Sequence, residues 1–596
     1  MHTAPTRSTA RLRRLGRTLL HVGSCLLAAW TCAAGEAPRS AAPAHTAAHP
    51  DPWWKHAVIY EIYPRSFQDS NGDGIGDLNG ITQRLDYLEA LGVDAIWIAP
   101  FFTSPQVDFG YDISDYQSVD PQYGTLADFD RLVAEAQKRQ IRVVLDMVLG
   151  HTSDQHPWFI DATRSRRSVA HDFYIWSSGR PDTSGKPRPP NNWLSVFGGS
   201  AWEYVPGVDQ FYYHRLYRQQ PDLNWRNPHV ERAMFEVMRF WLDRGAAGFR
   251  LDGIGTLYKD PQLRNAPTLA GRTAQGDPVL GDGLTTNLPE VHPMLRRMRA
   301  MLDHYPGERV LIGDTYVKNT AQLDAWYGGA RHDELQLATD SAFAFATRLD
   351  ARDFRRRLSE AASELHGSQP LLLSDNHDNV RSWDRFGDGV HNTAIAKILA
   401  TLLLTSRSAT LLYQGQEIGQ STLVPARVED VRDPVGITGW PKEKGRDGER
   451  TPMQWDTSAQ AGFTVSQHPW LPLAADFHEV NVKAQLADEE SLLSWYKKLI
   501  ALRRGDPALR TGRLVMLDVT NPRVLTYARV TPEGSGILIS LNMSAQPQTL
   551  ALNGAAAGFA GGRLRTLLSS PGEISVSAPG TRITLPPYGA WIGAVE

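Results

Sequence analysis

The sequence predicts an α/β fold, a (β/α)8 TIM barrel carrying a small inserted domain and followed by a C-terminal antiparallel β-sandwich domain. Three observations predict it. From Val58 onward, short runs rich in β-branched and aromatic residues alternate with stretches of helical period. Between His151 and Asn227 that rhythm fails, and Pro, Gly, Ser and aromatic residues crowd together. Beyond residue 505 it gives way to short alternating runs such as 524–530 and 536–541, bounded by Gly, Pro and Asn.

Taken in order, strands are expected at residues 58–63, 95–100, 143–148, 248–254, 309–316, 334–337, 371–375 and 409–413. Helical periods fall at 81–91, 129–136 and 491–504, and Val230, Met234, Val237, Met238 and Trp241 share one helix face. Eight parallel strands need crossovers, and closing them into a barrel removes the sheet edges. The expected barrel therefore spans residues 52–150 and 228–505, the insertion 151–227, and the C-terminal domain 511–596. The run from Arg352 to Arg357 is read as a solvated helix face with Phe354 turned inward.

At 596 residues the chain is long for one ordinary domain, and 42% hydrophobic with 21% charged residues is the balance of a globular protein. Arg7, Arg11, Arg13, Arg14 and Arg17 precede an apolar stretch at 19–30 and the small residues Cys32-Ala33-Ala34. Residues 1–34 thus read as an export signal and 35–51 as a linker, for a secreted or periplasmic protein. A lipobox-like Val22-Gly23-Ser24-Cys25 lies inside the apolar run, which continues past it. Nothing downstream offers about 18 consecutive apolar residues, so no membrane span is expected. Both cysteines, Cys25 and Cys32, fall in the leader, which leaves the processed chain without disulfides or thiol catalysis. The net charge of −3 becomes −8 once the five leader arginines are removed, and no basic stripe points to nucleic acid. Nothing in the pattern specifies an oligomeric state.

Three acids stand at or just beyond the C-terminal ends of expected strands, where barrel enzymes keep their catalysts: Asp252, Asp314 and Asp378. Glycoside cleavage needs such carboxylates, one to attack the anomeric carbon and one to protonate the departing oxygen. Singly, an acid at a strand end is as readily a helix cap or a loop ion-pair partner.

Four strings, Asp146-Met147-Val148-Leu149-Gly150-His151, Gly248-Phe249-Arg250-Leu251-Asp252, Leu311-Ile312-Gly313-Asp314 and Asn376-His377-Asp378, resemble in order the motif regions of the α-amylase superfamily, glycoside hydrolase family 13. Two more, Gln106-Val107-Asp108-Phe109-Gly110-Tyr111-Asp112 and the run from Gly445 to Trp455, resemble its α-glucosidase and oligo-1,6-glucosidase branch. The resemblance covers nearly all of the chain from Trp53 onward. It implies a retaining, exo-acting enzyme on oligosaccharides or disaccharides, with Asp252 as nucleophile, Asp314 at the acid position and Asp378 binding hydroxyls as the ring flattens. By the same resemblance Arg250 keeps the nucleophile ionised, His151 and His377 bond sugar hydroxyls, Tyr111 stacks under the glucose, and Asp108 with Arg450 grips its far end. The run from Asp69 to Asp77 resembles the branch's structural calcium loop, with oxygen donors from Asp69, Asn71, Asp73, Asp77 and the Ile75 carbonyl. Without a metal, the same run is a Gly-rich polar turn.

The chain departs from the family at the acid, where Asp314 replaces Glu and withdraws the carboxyl by about 1.5 Å. Gly150 stands where Asn is usual, and Gly253 follows the nucleophile at a position that varies with linkage preference. Three functions follow: an α-glucosidase, a glucosyltransferase or sucrose/maltose isomerase with the same nucleophile, and a catalytically impaired sugar-binding homologue.

Overall fold

The computed structural model describes residues 51–596 apart from 553–556, 560–563, 571, 573, 578–581 and 596. The expected export signal and linker, up to residue 50, lie outside the described residues. Eight strands form one parallel sheet: β1 (Val58–Ile62), β2 (Ala95–Ile98), β3 (Arg142–Val148), β4 (Gly248–Asp252), β5 (Val310–Gly313), β6 (Leu337–Ala338), β7 (Leu371–Leu372) and β8 (Ala409–Tyr413). They pair in chain order, β8 pairs back to β1, and a parallel bridge between Thr339 and Leu371 joins β6 to β7. The ring is that of a (β/α)8 barrel.

Side-chain alternation along these strands divides the core in two. One set, including Ile59, Ala95, Trp97, Val144, Val310, Ile312, Leu337, Leu371 and Leu411, forms a compact cluster of its own, and its partners of opposite parity join the large cluster with the helices. The helix Pro228–Asp243 shows how the outer ring is specified. Asn227 caps it, Pro228 opens it, and Val230, Met234, Val237, Met238 and Trp241 lie buried on one stripe. The Trp241 indole donates to the Tyr116 carbonyl at 2.8 Å, so the residue that fills the core also satisfies a loop.

Between His151 and Asn227 a short helix, Pro157–Ala162, and a three-stranded antiparallel sheet of Trp176–Ser177, Gln210–Tyr213 and Trp202–Val205 replace the barrel repeat. This segment returns to the barrel rim through an antiparallel bridge between His151 and Asp222. After helix Leu492–Gly505 the chain forms a five-stranded antiparallel sheet facing a three-stranded one, with Val524, Leu538, Leu550, Ile583 and Trp591 buried between them. These two sheets are the expected β-sandwich.

Strands β5 and β7 stop at Gly313 and Leu372, ahead of the expected 316 and 375, and β6 begins at Leu337 instead of Glu334. One expectation is corrected. Arg355 does not lie on a solvated face: it is buried, and its guanidinium donates to the carbonyls of Asn521 and Val524, both at 2.8 Å, tying helix Ala351–Glu364 to the C-terminal domain. Phe354 is buried as expected. Among the described residues no helix is long and apolar enough to cross a membrane.

Candidate active site

The centre of the barrel mouth is organised by one guanidinium. Arg250, on β4, points inward because residues of alternate parity on a barrel strand face the interior. Its Nη1 donates to both oxygens of Asp146 at 3.0 Å and to Asp252 Oδ1 at 2.7 Å, and its Nη2 donates to Asp314 Oδ2 at 2.8 Å. Three carboxylates from three adjacent strands, β3, β4 and β5, thus share one cation. Asp252 ends β4, and Asp314 directly follows β5. Burial raises the Asp314 carboxyl above its ordinary range, and Asp252 and Asp378 push the same way against the pull of Arg250. Burial likewise raises Asp146 to about 7, with Arg250 opposing.

Asp378 lies across the mouth in the opposite environment. Arg450 reaches its Oδ1 at 2.8 Å and Arg446 reaches the same oxygen at 3.1 Å, while His377 Nε2 stands 3.5 Å from Oδ2. Burial alone would raise it; His377 and the two arginines outweigh burial and hold it below its ordinary range.

The wall between these poles is fixed by a chain of bonds. Glu61, fully buried on β1, bonds His377 Nδ1 at 2.6 Å, and His377 Nε2 pairs with the Tyr111 hydroxyl at 2.8 Å. Tyr111 also donates to Asp146 at 3.0 Å and stacks on His377 with ring centroids 5.5 Å apart. His151 Nε2 lies 3.0 Å from the Tyr111 carbonyl. Beyond Tyr111, Asp108 accepts from Arg446 at 2.8 Å and from Gln220 at 3.1 Å. Together these groups enclose a cavity of about 490 Å³ whose lining includes Asp108, Tyr111, His151, Asp252, Asp314, His377, Asp378 and Arg446. Its lining also includes three aromatic rings, Phe197, Tyr316 and Phe345.

Two comparisons decide the family. The α-amylase catalytic-domain family model matches residues 61–512, and the maltogenic amylase C-terminal-domain model matches 514–592. The chain belongs to the α-amylase family. It is 43% identical over 494 residues to a probable α-glucosidase of Rhizobium meliloti, covering 80% of this chain and 87% of that one. It is 39% identical over 518 residues to an oligo-1,6-glucosidase of Parageobacillus thermoglucosidasius, covering 82% and 90%. Among solved structures, an α-glucosyl transfer enzyme superimposes with a TM-score of 0.82 at 39% identity, covering 92% of this chain and all of that one. The trehalulose synthase of Pseudomonas mesoacidophila MX-45 does so at 0.83 and 35%, with the same coverage. This α-amylase family member is a glycoside hydrolase whose relatives span hydrolysis and glucosyl transfer.

Asp108, Tyr111, His151, Asp252, Asp314, His377 and Asp378 all line the one cavity. Arg250 bonds Asp252 and Asp314 and lines a smaller adjoining pocket, and the fully buried Arg450 bonds Asp378. The resemblance has Asp108 and Arg450 both grip the far end of the glucose. Here the arginine bonded to Asp108 is Arg446, which also holds Asp433 at 2.8 Å and Asp378. Arg446 was missed as a site residue, although it lies inside the motif run 445–455. Glu61 was missed too; a lone carboxylate in the buried strand Val58–Ile62 was the available signal. Gln220, Asp222 and Lys259 come from segments without periodicity. Asp222 lines the cavity, and the buried Lys259 ammonium forms an ion pair with it.

The two glycine departures have local explanations. Gly253 adopts φ +50°, in the left-handed region, so glycine there has a backbone reason independent of linkage preference. At Gly150 the chain is oriented by its own carbonyl, which accepts from Leu223 at 2.9 Å. The Asp69–Asp77 loop is curled by bonds from its side-chain oxygens to its own amides, such as Asp69 Oδ1 with Asn71 and Gly72 and Asp73 Oδ1 with Ile75. Among the described residues no three His, Cys, Asp or Glu side chains converge as a metal-binding group.

Proposed function

We propose that the protein is a retaining, exo-acting α-glucosidase that removes terminal α-linked glucose from short oligosaccharides for carbohydrate catabolism. The observation that carries this reading is that Asp252 and Asp314, joined through one guanidinium, line the same cavity as the Asp108–Arg446–Asp378 network. A terminal glucose sits with its far hydroxyls in that network and its ring against Tyr111, which leaves no path for a longer chain beyond it and enforces exo action. Asp252, which accepts a hydrogen bond from Arg250 at 2.7 Å, attacks the anomeric carbon. Asp314, whose raised affinity for protons keeps it protonated further toward neutrality, supplies the proton to the leaving oxygen, then takes one from water in the second half. Asp378, held ionised by its two arginines, accepts from the ring hydroxyls and binds them more strongly as the ring flattens.

The test is turnover of maltose, isomaltose, sucrose and 4-nitrophenyl α-glucoside with product analysis. Glucose release from chain ends is expected; binding without turnover of any of the four would sink the reading. A second reading, transfer of the glucosyl group to another sugar, is favoured by Phe197, Tyr316 and Phe345, whose rings offer an acceptor a stacking surface. It predicts disaccharide or isomerised products from sucrose.

Calcium is the proposed occupant of the Asp69–Asp77 loop. The donor set fits a hard cation in kind, with oxygens from Asp69, Asn71, Asp73, Asp77 and the Ile75 carbonyl on a loop bent through left-handed backbone at Gly72 and Gly74. Bound there, the ion would brace the loop and take no part in the chemistry. Thermal unfolding with and without a chelator tests it: a lower Tm in chelator, restored by calcium, is expected, and an unchanged Tm contradicts it. Export, on the leader's pattern, is tested by finding the chain in the medium or periplasm with its N-terminus near Ala34 removed.

A further inference from the structure

The groups that face the terminal glucose are braced from behind by one tryptophan. Trp470 lies beyond the motif run 445–455, and the cavity's lining residues include neither it nor Phe109. Three lines of contact run from its indole to residues that do line the cavity. Its ring stacks on the fully buried Tyr63, Tyr63 on His377 and His377 on Tyr111, with centroids 6.1, 5.6 and 5.5 Å apart at successive steps. Its Nε1 donates to Ser66 Oγ at 3.0 Å, and that hydroxyl donates in turn to the carbonyl of Arg450, the arginine bonded to Asp378. Its ring also makes an edge contact with Phe109, the neighbour of Asp108, at 5.3 Å between centroids. The segment 106–112 carries both Asp108 and Tyr111, and two of its non-glycine residues stand in the left-handed region, Gln106 at φ +65° and Phe109 at φ +47°. Such backbone persists only where its surroundings over-determine it. The Arg65 guanidinium lies over the rings of Trp470 and Phe109 at 4.7 and 5.1 Å, and its Nη1 donates to Gln106 Oε1 at 3.1 Å, so one cation reaches both strained residues. Trp470 is itself anchored, its amide donating to the Gly74 carbonyl at 3.0 Å.

We propose that Trp470 is a positioning residue for the terminal-glucose site. Through the Tyr63–His377–Tyr111 stack, the Ser66–Arg450 bond and Phe109, it sets where Tyr111, His377, Asp378 and Asp108 meet the sugar. The inference rests on the α-glucosidase reading for the identity of that sugar. Trp470 itself touches no substrate, and its effect comes from rigidity. Groups that drift by about 1 Å cost on the order of a hundredfold in rate, and these four lean on one indole. Loosening them weakens the hold on glucose in the ground state as well as in the flattened transition state, so affinity and rate fall together.

The experiment compares the full chain with Trp470→Phe, Trp470→Leu and Phe109→Gly. It reads glucose affinity by titration calorimetry, KM and kcat on maltose and 4-nitrophenyl α-glucoside, and Tm. Trp470→Leu should weaken glucose binding about tenfold, raise KM, and lower kcat/KM about a hundredfold on both substrates alike. Trp470→Phe, which returns a ring to the stack, should bring glucose affinity to within about threefold of the full chain. Phe109→Gly removes the ring while relieving the left-handed backbone, so it should hold its Tm yet bind glucose about tenfold more weakly. A fold that is merely destabilised loses active molecules, which lowers kcat and Tm and moves neither KM nor glucose affinity. That pattern in Trp470→Leu would overturn the proposal, and so would Trp470→Phe binding glucose no better than Trp470→Leu. Should Trp470→Leu fail to fold, Phe109→Gly decides alone, and unchanged glucose affinity there overturns the proposal. An unmodified chain that binds glucose yet turns over neither substrate would instead overturn the glucosidase reading, and the calorimetric comparison would still test Trp470.

Discussion

The two sides of the cavity solve the same electrostatic problem in opposite ways. Around Arg250, three carboxylates share one cation, so burial and mutual repulsion push Asp146 and Asp314 toward the protonated form. Around Asp378, two arginines and a histidine converge, and the carboxylate is held ionised against its burial. An excess of acids makes a proton donor available; an excess of cations makes a permanent acceptor. One chain thereby obtains an acid and a hydroxyl-binding anion from the same residue type.

The largest perturbation of the first pole is Asp252→Asn, which removes the attacking oxygen while preserving shape. It should lower kcat by at least about 10⁴-fold on every substrate, including 4-nitrophenyl α-glucoside. Next, Arg446→Met leaves Asp108 and Asp433 without their shared cation. It should lower kcat/KM by about a hundredfold and destabilise the fold by about 3 kcal/mol, read as a lower Tm. A smaller effect is expected from pH. Asp314 must carry a proton and its affinity for protons is raised by burial. Maltose kcat/KM should therefore hold through the ordinary carboxylate range and fall as pH climbs through the raised value. Asp314→Asn should abolish the high-pH limb. The smallest effect concerns stability at the second pole. A depressed carboxylate contributes stability above its ordinary value of 3.8 and loses it as pH falls below. Asp378→Asn should therefore lower Tm at pH 7 and narrow that difference in acid.

The barrel was legible because its strands are continuous apolar runs in a regular rhythm, and the last of them, Ala409–Tyr413, has the bounds read from sequence. The loops that feed the cavity were not, since their geometry is set by contacts far away in sequence. Arg446 illustrates the limit: it meets Asp108 across 338 positions, and no local period announces which guanidinium of the motif makes that reach. Arg355 failed for a related reason. In a run of charges it looked solvated, whereas the C-terminal domain packs over it and supplies two carbonyls. Asp252, Asp314 and Asp378 were legible as site residues because strand ends in a barrel converge, which turns three separate acids into one constellation.

The central claim is that Asp252 forms the covalent bond to glucose. A 5-fluoro-α-glucosyl fluoride, which forms the glycosyl ester readily and releases it slowly, traps that state for peptide mass spectrometry. The label is predicted on the peptide containing Asp252, on that side chain, with loss of activity in proportion. Labelling of Asp314 or Asp378, or continued turnover with no labelled peptide, would contradict the account.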